Sequence, residues 1–504
     1  MQMKKIVLLL CLLVCIKYGI SQDYKAEPHR PQFHFSPKKY WMNDPNGMVY
    51  YNGVYHLFFQ YYPGSTKWGP MHWGHATSKD LIHWEEQPIA LYPDSLGYIF
   101  SGSAVVDVNN TSGFGKNGKA PLVAIFTHHN VIGEQAKKID YQYQSIAYSL
   151  DEGKTWTKYE GNPVVKNPGI IDFRDPKVMW YEPQKEWIMT LATKDRITFY
   201  SSPDLKTWNR ESDFGKDLGA HGGVWECPDL FPLEHNGKKV WVLLVSINPG
   251  GPNGGSGTQY FLGNFDGQQF TPVDTATRWI DYGTDNYAGV TFSNTGKRTI
   301  FMGWMSNWQY AQDVPTTNWR SAMTIPRELE LKTIKNKMFL ASRPAREFNT
   351  FLSGTVSLKD INAKSSYNLS SKTGKITGLF QLELSDMSLN DFSIVLSNDE
   401  GDELVIGYDK TGNQYYIDRT SSGKKDFEPG FAKKHTAPRI SVNKTIKLKL
   451  IADASSVELF ADDGLTVMTD IFFPQEVLSK LYIKSTSGIS IKNLKYTNLG
   501  STLK

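Results

Sequence analysis

Apolar and polar positions alternate along this chain with a period of two, in short runs closed by Gly, Asn, Asp and Pro. Met48-Val49-Tyr50-Tyr51 precedes Asn52-Gly53, and Val54-Tyr55-His56-Leu57-Phe58-Phe59 follows it. That pattern predicts a strand, a tight hairpin turn and a second strand. The style holds from Pro28 to about Leu340, and no long stretch shows a helical period. The region is therefore predicted to be all-β.

The hairpin also recurs. Units open at Asp44-Pro45, at Ser101-Gly102-Ser103, at Asp175-Pro176, at Pro228-Asp229 and at Tyr287-Ala288-Gly289, each followed by a turn and a second apolar run. The back half of the unit repeats as well. Ser78-Lys79-Asp80-Leu81-Ile82-His83-Trp84 resembles Ser202-Pro203-Asp204-Leu205-Lys206-Thr207-Trp208, and residues 149–156 are a variant with one more residue. Each reads as a Ser-x-Asp turn leading into a Trp-bearing outer strand. Five repeats of about four strands predict a five-bladed β-propeller. In such a fold the residues opening each unit surround one central cavity. Asp44, Asp175 and the Glu226-Cys227-Pro228-Asp229 stretch would then converge there.

Between residues 346 and 355 the character changes. Lysine and serine rise, Pro and Trp thin out, and strands such as Ile446-Lys447-Leu448-Lys449-Leu450 and Val457-Glu458-Leu459-Phe460 alternate cleanly. This predicts an antiparallel β-sandwich with solvated outer faces. The expected domains are a propeller over residues 28–343 and a sandwich over residues 350–500.

Composition narrows the function. Aromatics make up 13% of the chain, with 14 Trp and 26 Tyr, which suits sugar stacking as well as β cores. The formal charge of +4 includes Lys4, Lys5 and Lys17, so the rest carries +1, and no basic stripe points to nucleic acid. Lys4 and Lys5 followed by an apolar run from Ile6 to Ile16 read as an export signal over residues 1–21, with cleavage before Gln22. Cys15 as a lipid-bearing cysteine is disfavoured by the bulk of Val14. No later segment is long and apolar enough to be transmembrane, so a secreted or periplasmic protein is expected, as a monomer. Cys227 is the only cysteine outside the signal, which rules out an intrachain disulfide.

The candidate chemistry lies in the acids. Asp44 precedes Pro45 and Asn46-Gly47, and this turn could hold a carboxylate rigidly or could merely be capped by it. Two carboxyls facing one bond are the apparatus of glycoside hydrolysis. Arg174 beside Asp175 is expected to pair with it and keep it ionised. Glu226 between Trp225 and Cys227 is expected in an apolar setting that favours its protonated form. Cys227 itself is read as packing against that strand. His72 and His75 fall on opposite faces of a strand, as do His128 and His129, and there is no HExxH or Cys pair. No metal or cofactor is called for by the chemistry. Residues 250–257 are glycine-rich without Gly-Lys-Ser/Thr, and read as a loop over the cavity or a long turn.

Together, Trp41-Met42-Asn43-Asp44-Pro45-Asn46-Gly47, Phe100-Ser101-Gly102-Ser103, Phe173-Arg174-Asp175-Pro176-Lys177 and Trp225-Glu226-Cys227-Pro228-Asp229 resemble glycoside hydrolase family 32, in order and spacing. That family includes invertases, inulinases and levanases. The likeness continues through residues 254–261, 303–308, 319–323, 326–328, 417–420 and 455–460, and so covers essentially the whole mature chain.

The resemblance implies a propeller plus sandwich and a retaining mechanism. It implies Asp44 as nucleophile, Glu226 as acid/base and Asp175 as transition-state stabiliser. Asn43, Gln60, Trp68, Phe100, Ser101, Arg174 and Trp304 would complete a fructose pocket. The expected activity is hydrolysis of β-D-fructofuranosyl linkages in levan, inulin or sucrose, favouring polymers and exo attack. Alternatives are an endo-acting levanase, an inverting arabinan hydrolase with a wider acid pair, and a sugar-binding propeller without turnover.

Overall fold

The computed structural model describes residues 24–503 and resolves the alternating pattern into seven sheets, antiparallel except for one short pair. The proposed export signal lies outside the described residues. Five sheets form the propeller. Their first strands are Tyr40–Tyr51, Tyr98–Val106, Phe173–Tyr181, Val224–His235 and Tyr287–Thr291. Each first strand packs against the next, and the fifth packs against the first, so the ring closes. Two residues, Trp319–Arg320, pair in parallel with Tyr40 and Trp41 at the inner edge of blade 1.

The outer turns follow the repeated motif. Asp80 accepts the backbone N–H groups of Ile82 (3.0 Å) and His83 (2.8 Å), and the Trp84 indole donates to Leu81 O. Asp204 does the same for Lys206 and Thr207, and Trp208 for Leu205. A Ser-x-Asp turn thus ends in a Trp that locks it, because an Asx-type turn satisfies donors that the sheet leaves free.

A second repetition matters more for function. Every first strand is interrupted by a bulge near its axial end. The ladder slips between Met42 and Pro45, between Ile99 and Gly102, between Arg174 and Lys177, between Glu226 and Asp229, and between Tyr287 and Val290. Bulges bend a strand and re-aim its side chains. They also tolerate proline, which has no N–H to offer the ladder; Pro45, Pro176 and Pro228 sit there. Asp175, Cys227 and Ala288 have positive φ values of 64°, 45° and 52° at these points. At Gly102 a Cβ would come within 2.0 Å of Ile125 O, so only glycine fits.

Just beyond the bulges, polar groups stitch the strands together. Ser103 donates to Pro176 O (3.0 Å), Asp229 accepts the N–H and hydroxyl of Thr291 (2.6 and 2.7 Å), and Lys177 lies 3.3 Å from Asp229. These bonds fix neighbouring blades relative to one another at the depth of the cavity.

Residues 352–499 form the remaining two sheets, six strands each, packed on a core that includes Phe380, Leu382, Ile394, Ile406, Leu450 and Leu459. The sandwich is clamped to the propeller by buried charges. Arg327 donates to Asp281 (2.9 Å) and to Glu458 (3.0 Å), while Arg419 reaches back to Asp285 (2.8 Å) and Tyr310 (3.0 Å). His34 sits between Asp453 (2.7 Å) and Glu458 (2.9 Å). The glycine-rich residues 250–257 do not cover the central cavity. Asn253 in that stretch hydrogen-bonds Thr436 of the sandwich in both directions (2.9 and 3.1 Å), so the loop is a turn docked at the domain boundary.

Candidate active site

The bulged ends of the first strands open into a cavity of about 290 Å³. Asn43, Asp44, Gln60, Trp68, Phe100, Ser101, Arg174, Asp175 and Glu226 line it, with His129, Tyr141, Gln142 and Trp308 among the others. All the lining residues come from the propeller. A larger groove of about 1040 Å³ runs between the two domains. Its charges pair among themselves, as in Lys447–Asp463 (2.5 Å) and Arg343–Glu330 (3.4 Å), and it holds no convergent acids of the kind found at the axis.

Asp44 is held on both oxygens. Asn43 Nδ2 donates to Oδ1 at 3.0 Å and Ser101 Oγ to Oδ2 at 2.7 Å. Asn43 is itself fixed by the Trp41 indole at 2.7 Å. Burial pushes the Asp44 carboxyl above its usual range, the charge of Glu226 adds to this, and the Ser101 and Asn43 donors oppose it. Gln60 is anchored to Asn46 (2.9 Å) and Ile99 O (3.0 Å). Trp68 is 37% exposed and stands edge-on to Phe100 at the mouth.

Asp175 does not pair with Arg174. Its Oδ2 accepts the Cys227 N–H at 3.0 Å, because the positive φ at Asp175 turns the carboxyl toward blade 4. Burial raises its pKa to about 7, with Glu226 and Asp44 adding to the effect and Arg174 opposing it. Interacting acids titrate as a unit, so the cluster keeps a proton into the neutral range.

The guanidinium of Arg174 goes instead to Glu226 Oε1, from Nε (3.0 Å) and Nη2 (2.9 Å), and to Asp172 (2.6 Å). The Tyr287 hydroxyl donates to Glu226 Oε2. The apolar setting expected for Glu226 is therefore absent. Trp225 is fully buried in the blade 4 core, and the Glu226 side chain faces charged and polar partners from blades 3 and 5.

Cys227 packs as expected, in an apolar cluster with Trp41, Tyr287 and Trp304, and does more. Its Sγ lies 3.5 Å from Asp44 Oδ2 and 3.5 Å from Asp175 Oδ2, so it also bridges two acids. Burial and three neighbouring carboxyls hold the thiol well above its usual pKa. It stays protonated and is no nucleophile.

Trp304, expected in the pocket, is fully buried and does not line the cavity. It lies against Trp41, Tyr287 and Trp308, and Trp308 takes the place on the wall. Sequence reasoning missed Tyr287, although it opens the fifth repeat unit as Asp44 and Asp175 open theirs. His129 and Gln142 had no sequence signal; cross-strand pairing in blade 2 brings them together. His72 is turned to Pro70 O (2.8 Å) and His75 to His56 (3.1 Å), so those two do not meet. Among the described residues no group of three or more His, Cys, Asp or Glu side chains is placed to hold a metal ion.

A buried acid and a half-buried one, held in different hydrogen-bonded states around one small cavity, can carry out nucleophilic and acid/base steps on a single bond. Comparison with known proteins agrees with that chemistry. Residues 34–344 match the model of the glycosyl hydrolases family 32 N-terminal domain, and residues 347–498 match that of the family 32 C terminal. The chain is 46% identical to a levanase of Bacillus subtilis (strain 168), over 97% of this chain and 74% of that protein. It is 42% identical to an extracellular exo-inulinase of Aspergillus niger, over 95% and 96%. Among solved structures, the exo-inulinase of Aspergillus awamori superposes with a TM-score of 0.86 at 38% identity, covering 95% of this chain and 99% of that one. The β-fructofuranosidase of Schwanniomyces occidentalis complexed with fructosyl-erythritol gives 0.87 at 35%, covering 96% and 99%.

Proposed function

The chain belongs to glycoside hydrolase family 32, and on that premise we propose that it is a retaining β-fructosidase that releases fructose from the ends of fructan chains. The observation that carries this reading is the convergence of Asp44, Asp175 and Glu226, from three different blades, on one cavity. Levanase and exo-inulinase relatives along nearly the whole chain support fructan as the substrate. The volume of about 290 Å³, at the small end for ligand sites, supports a chain end rather than a threaded polymer.

In the proposed reaction Asp44 Oδ attacks the anomeric carbon of a terminal fructofuranosyl unit. Glu226 delivers its proton to the glycosidic oxygen, and the C–O bond to the rest of the chain breaks. The product is a fructosyl ester of Asp44 and a shortened fructan. Glu226, now a carboxylate, takes a proton from water as that water attacks the same carbon. Fructose leaves with retained configuration, and Asp44 and Glu226 return to their starting states. Asp175 accepts hydrogen bonds from ring hydroxyls that strengthen as positive charge develops on the ring. This mechanism calls for Asp44 and Glu226 carboxyls about 5–5.5 Å apart. Export, by the signal read at residues 1–21, and a monomeric state complete the proposal.

A time course on levan, inulin and sucrose tests it. Fructose as the sole early product is the expected result, and early oligosaccharides would show endo attack. Glu226→Ala should stay folded and still bind sugar while turnover falls by about 10²–10⁴. An active Glu226→Ala enzyme would end the acid/base assignment.

A further inference from the structure

Gln142 is 2% exposed and lies on the second blade, across the strand pair from His129. Its side-chain amide can be oriented in only one way. Oε1 faces two donors, the Phe173 N–H at 2.9 Å and Arg174 Nη1 at 3.4 Å. Nε2 faces His129 Nδ1 at 3.2 Å. For that ring nitrogen to accept, the ring proton must be on Nε2, which is directed at Glu134 Oε2 at 3.0 Å. An amide flip would aim an NH2 at two donors, the Phe173 N–H and Arg174 Nη1, and in this tautomer would set Oε1 against the unprotonated His129 Nδ1. The His129 ring is further locked by lying flat on Phe100, 4.2 Å between centroids with 6° between planes. Burial keeps His129 in the neutral form this tautomer requires, with Glu134 opposing.

We propose that Gln142 is a positioning residue for the acid/base: held by the His129–Glu134 pair, it orients Arg174, and Arg174 in turn aims Glu226. The chain crosses three blades. Glu134 and His129 belong to blade 2, Arg174 to blade 3 and Glu226 to blade 4. Arg174 has long, rotatable reach, and among the described residues Asp172 (2.6 Å) and Gln142 (3.4 Å) fix its Nη1 while Nε and Nη2 hold Glu226. Loss of Gln142 frees one of those two anchors. A displacement of about 1 Å at a reacting group costs about 10²-fold in rate. The inference rests on the assignment of Glu226 as acid/base.

The test compares kcat/KM on inulin with kcat/KM on a fructofuranoside bearing a nitrophenolate leaving group, which departs without protonation. Gln142→Leu is expected to lose about ten- to hundredfold on inulin and about twofold or less on the aryl substrate. Gln142→Glu keeps an acceptor for Arg174 and, once His129 is protonated so that an Nδ1–H faces the new carboxylate, is expected to recover part of the inulin activity. Equal losses on both substrates, or no loss on either, would overturn the proposal. Thermal unfolding of each variant reports folding, and Gln142→Asn, which keeps the amide but withdraws it, replaces Leu if that variant does not fold. Glu226→Ala run in parallel separates the two ideas. If it too loses equally on both substrates, the acid assignment has failed and the positioning role of Gln142 falls with it; equal losses in Gln142→Leu alone overturn only the role of Gln142.

Discussion

Arg174 spends two of its donors on a single oxygen of Glu226, at 3.0 and 2.9 Å, and none on the adjacent Asp175. The neighbour in sequence is separated by the bulge, and the residue 52 positions on is brought into contact by the ring of blades. This planar grip fixes the direction of the Glu226 carboxyl.

Arg174→Lys is expected to weaken catalysis more than stability. A lysine offers a point charge but not two parallel N–H groups, and hydrogen bonds to charged groups are worth about 1.5–3 kcal/mol. We expect kcat/KM on inulin to fall about ten- to hundredfold, with the melting temperature nearly unchanged. Steady-state kinetics with thermal denaturation of both proteins checks it, and an undiminished kcat/KM would refute it.

The acid cluster should show in the pH profile. With the Asp175 carboxyl raised to about 7 by burial and its acidic neighbours, one acid of the group sheds its proton near neutrality. Activity that needs a proton in the cluster is present below that pH and lost above it. A profile of kcat/KM against pH should therefore have an alkaline limb with an apparent pKa near 7. A profile flat to pH ~9 would contradict the coupling.

Cys227 should be inert in the folded protein. Its thiol is 5% exposed at the residue level and is held protonated by burial and by the acids around it. Iodoacetamide at neutral pH is expected to leave activity intact and to alkylate Cys227 only after unfolding in guanidinium. Inactivation that keeps pace with alkylation of the native protein would refute this.

The domain boundary carries its own pH dependence. His34 faces a carboxylate on each ring nitrogen, and these raise its pKa from 6.5 to about 9 against the effect of burial. The folded state then binds more protons than the unfolded state between those values, so stability falls with rising pH there. The contribution is fully present below pH 6.5 and is lost as pH passes about 9. Melting temperature measured across that range should decline in the native protein and lose this slope in His34→Gln.

Arg327→Ala should be the costlier change at the same boundary. It leaves Glu458 and Asp281 buried without their guanidinium. Removing one partner of a buried pair costs about 3–5 kcal/mol. Denaturant unfolding should show that loss, and a change below ~1 kcal/mol would mean the network is solvated.

Much of this was legible in the chain. The five hairpin units, the Ser-x-Asp-to-Trp turns and the sandwich could be read because each depends on local periodicity and turn chemistry, and the sheets and the Trp-locked turns form as that chemistry dictates. The motif acids Asp44, Asp175 and Glu226 were legible from the repeat as positions facing one cavity. Other motif residues turned out to serve elsewhere. Arg327, Arg419 and Glu458 lie in the stretches shared with the family, yet they hold the domains together.

What the sequence determined by itself was period, turn and repeat, since these depend on neighbours a few residues apart. The tertiary structure alone decided partners. Bulges at Asp175 and Cys227 re-aim side chains by an amount no spacing rule contains. Hence Arg174 meets Glu226 rather than Asp175, Cys227 bridges two acids, and Trp304 sits behind Trp308. His129 and Gln142 joined the site for the same reason. Their neighbours there come from other blades, and ring closure is what sets those distances.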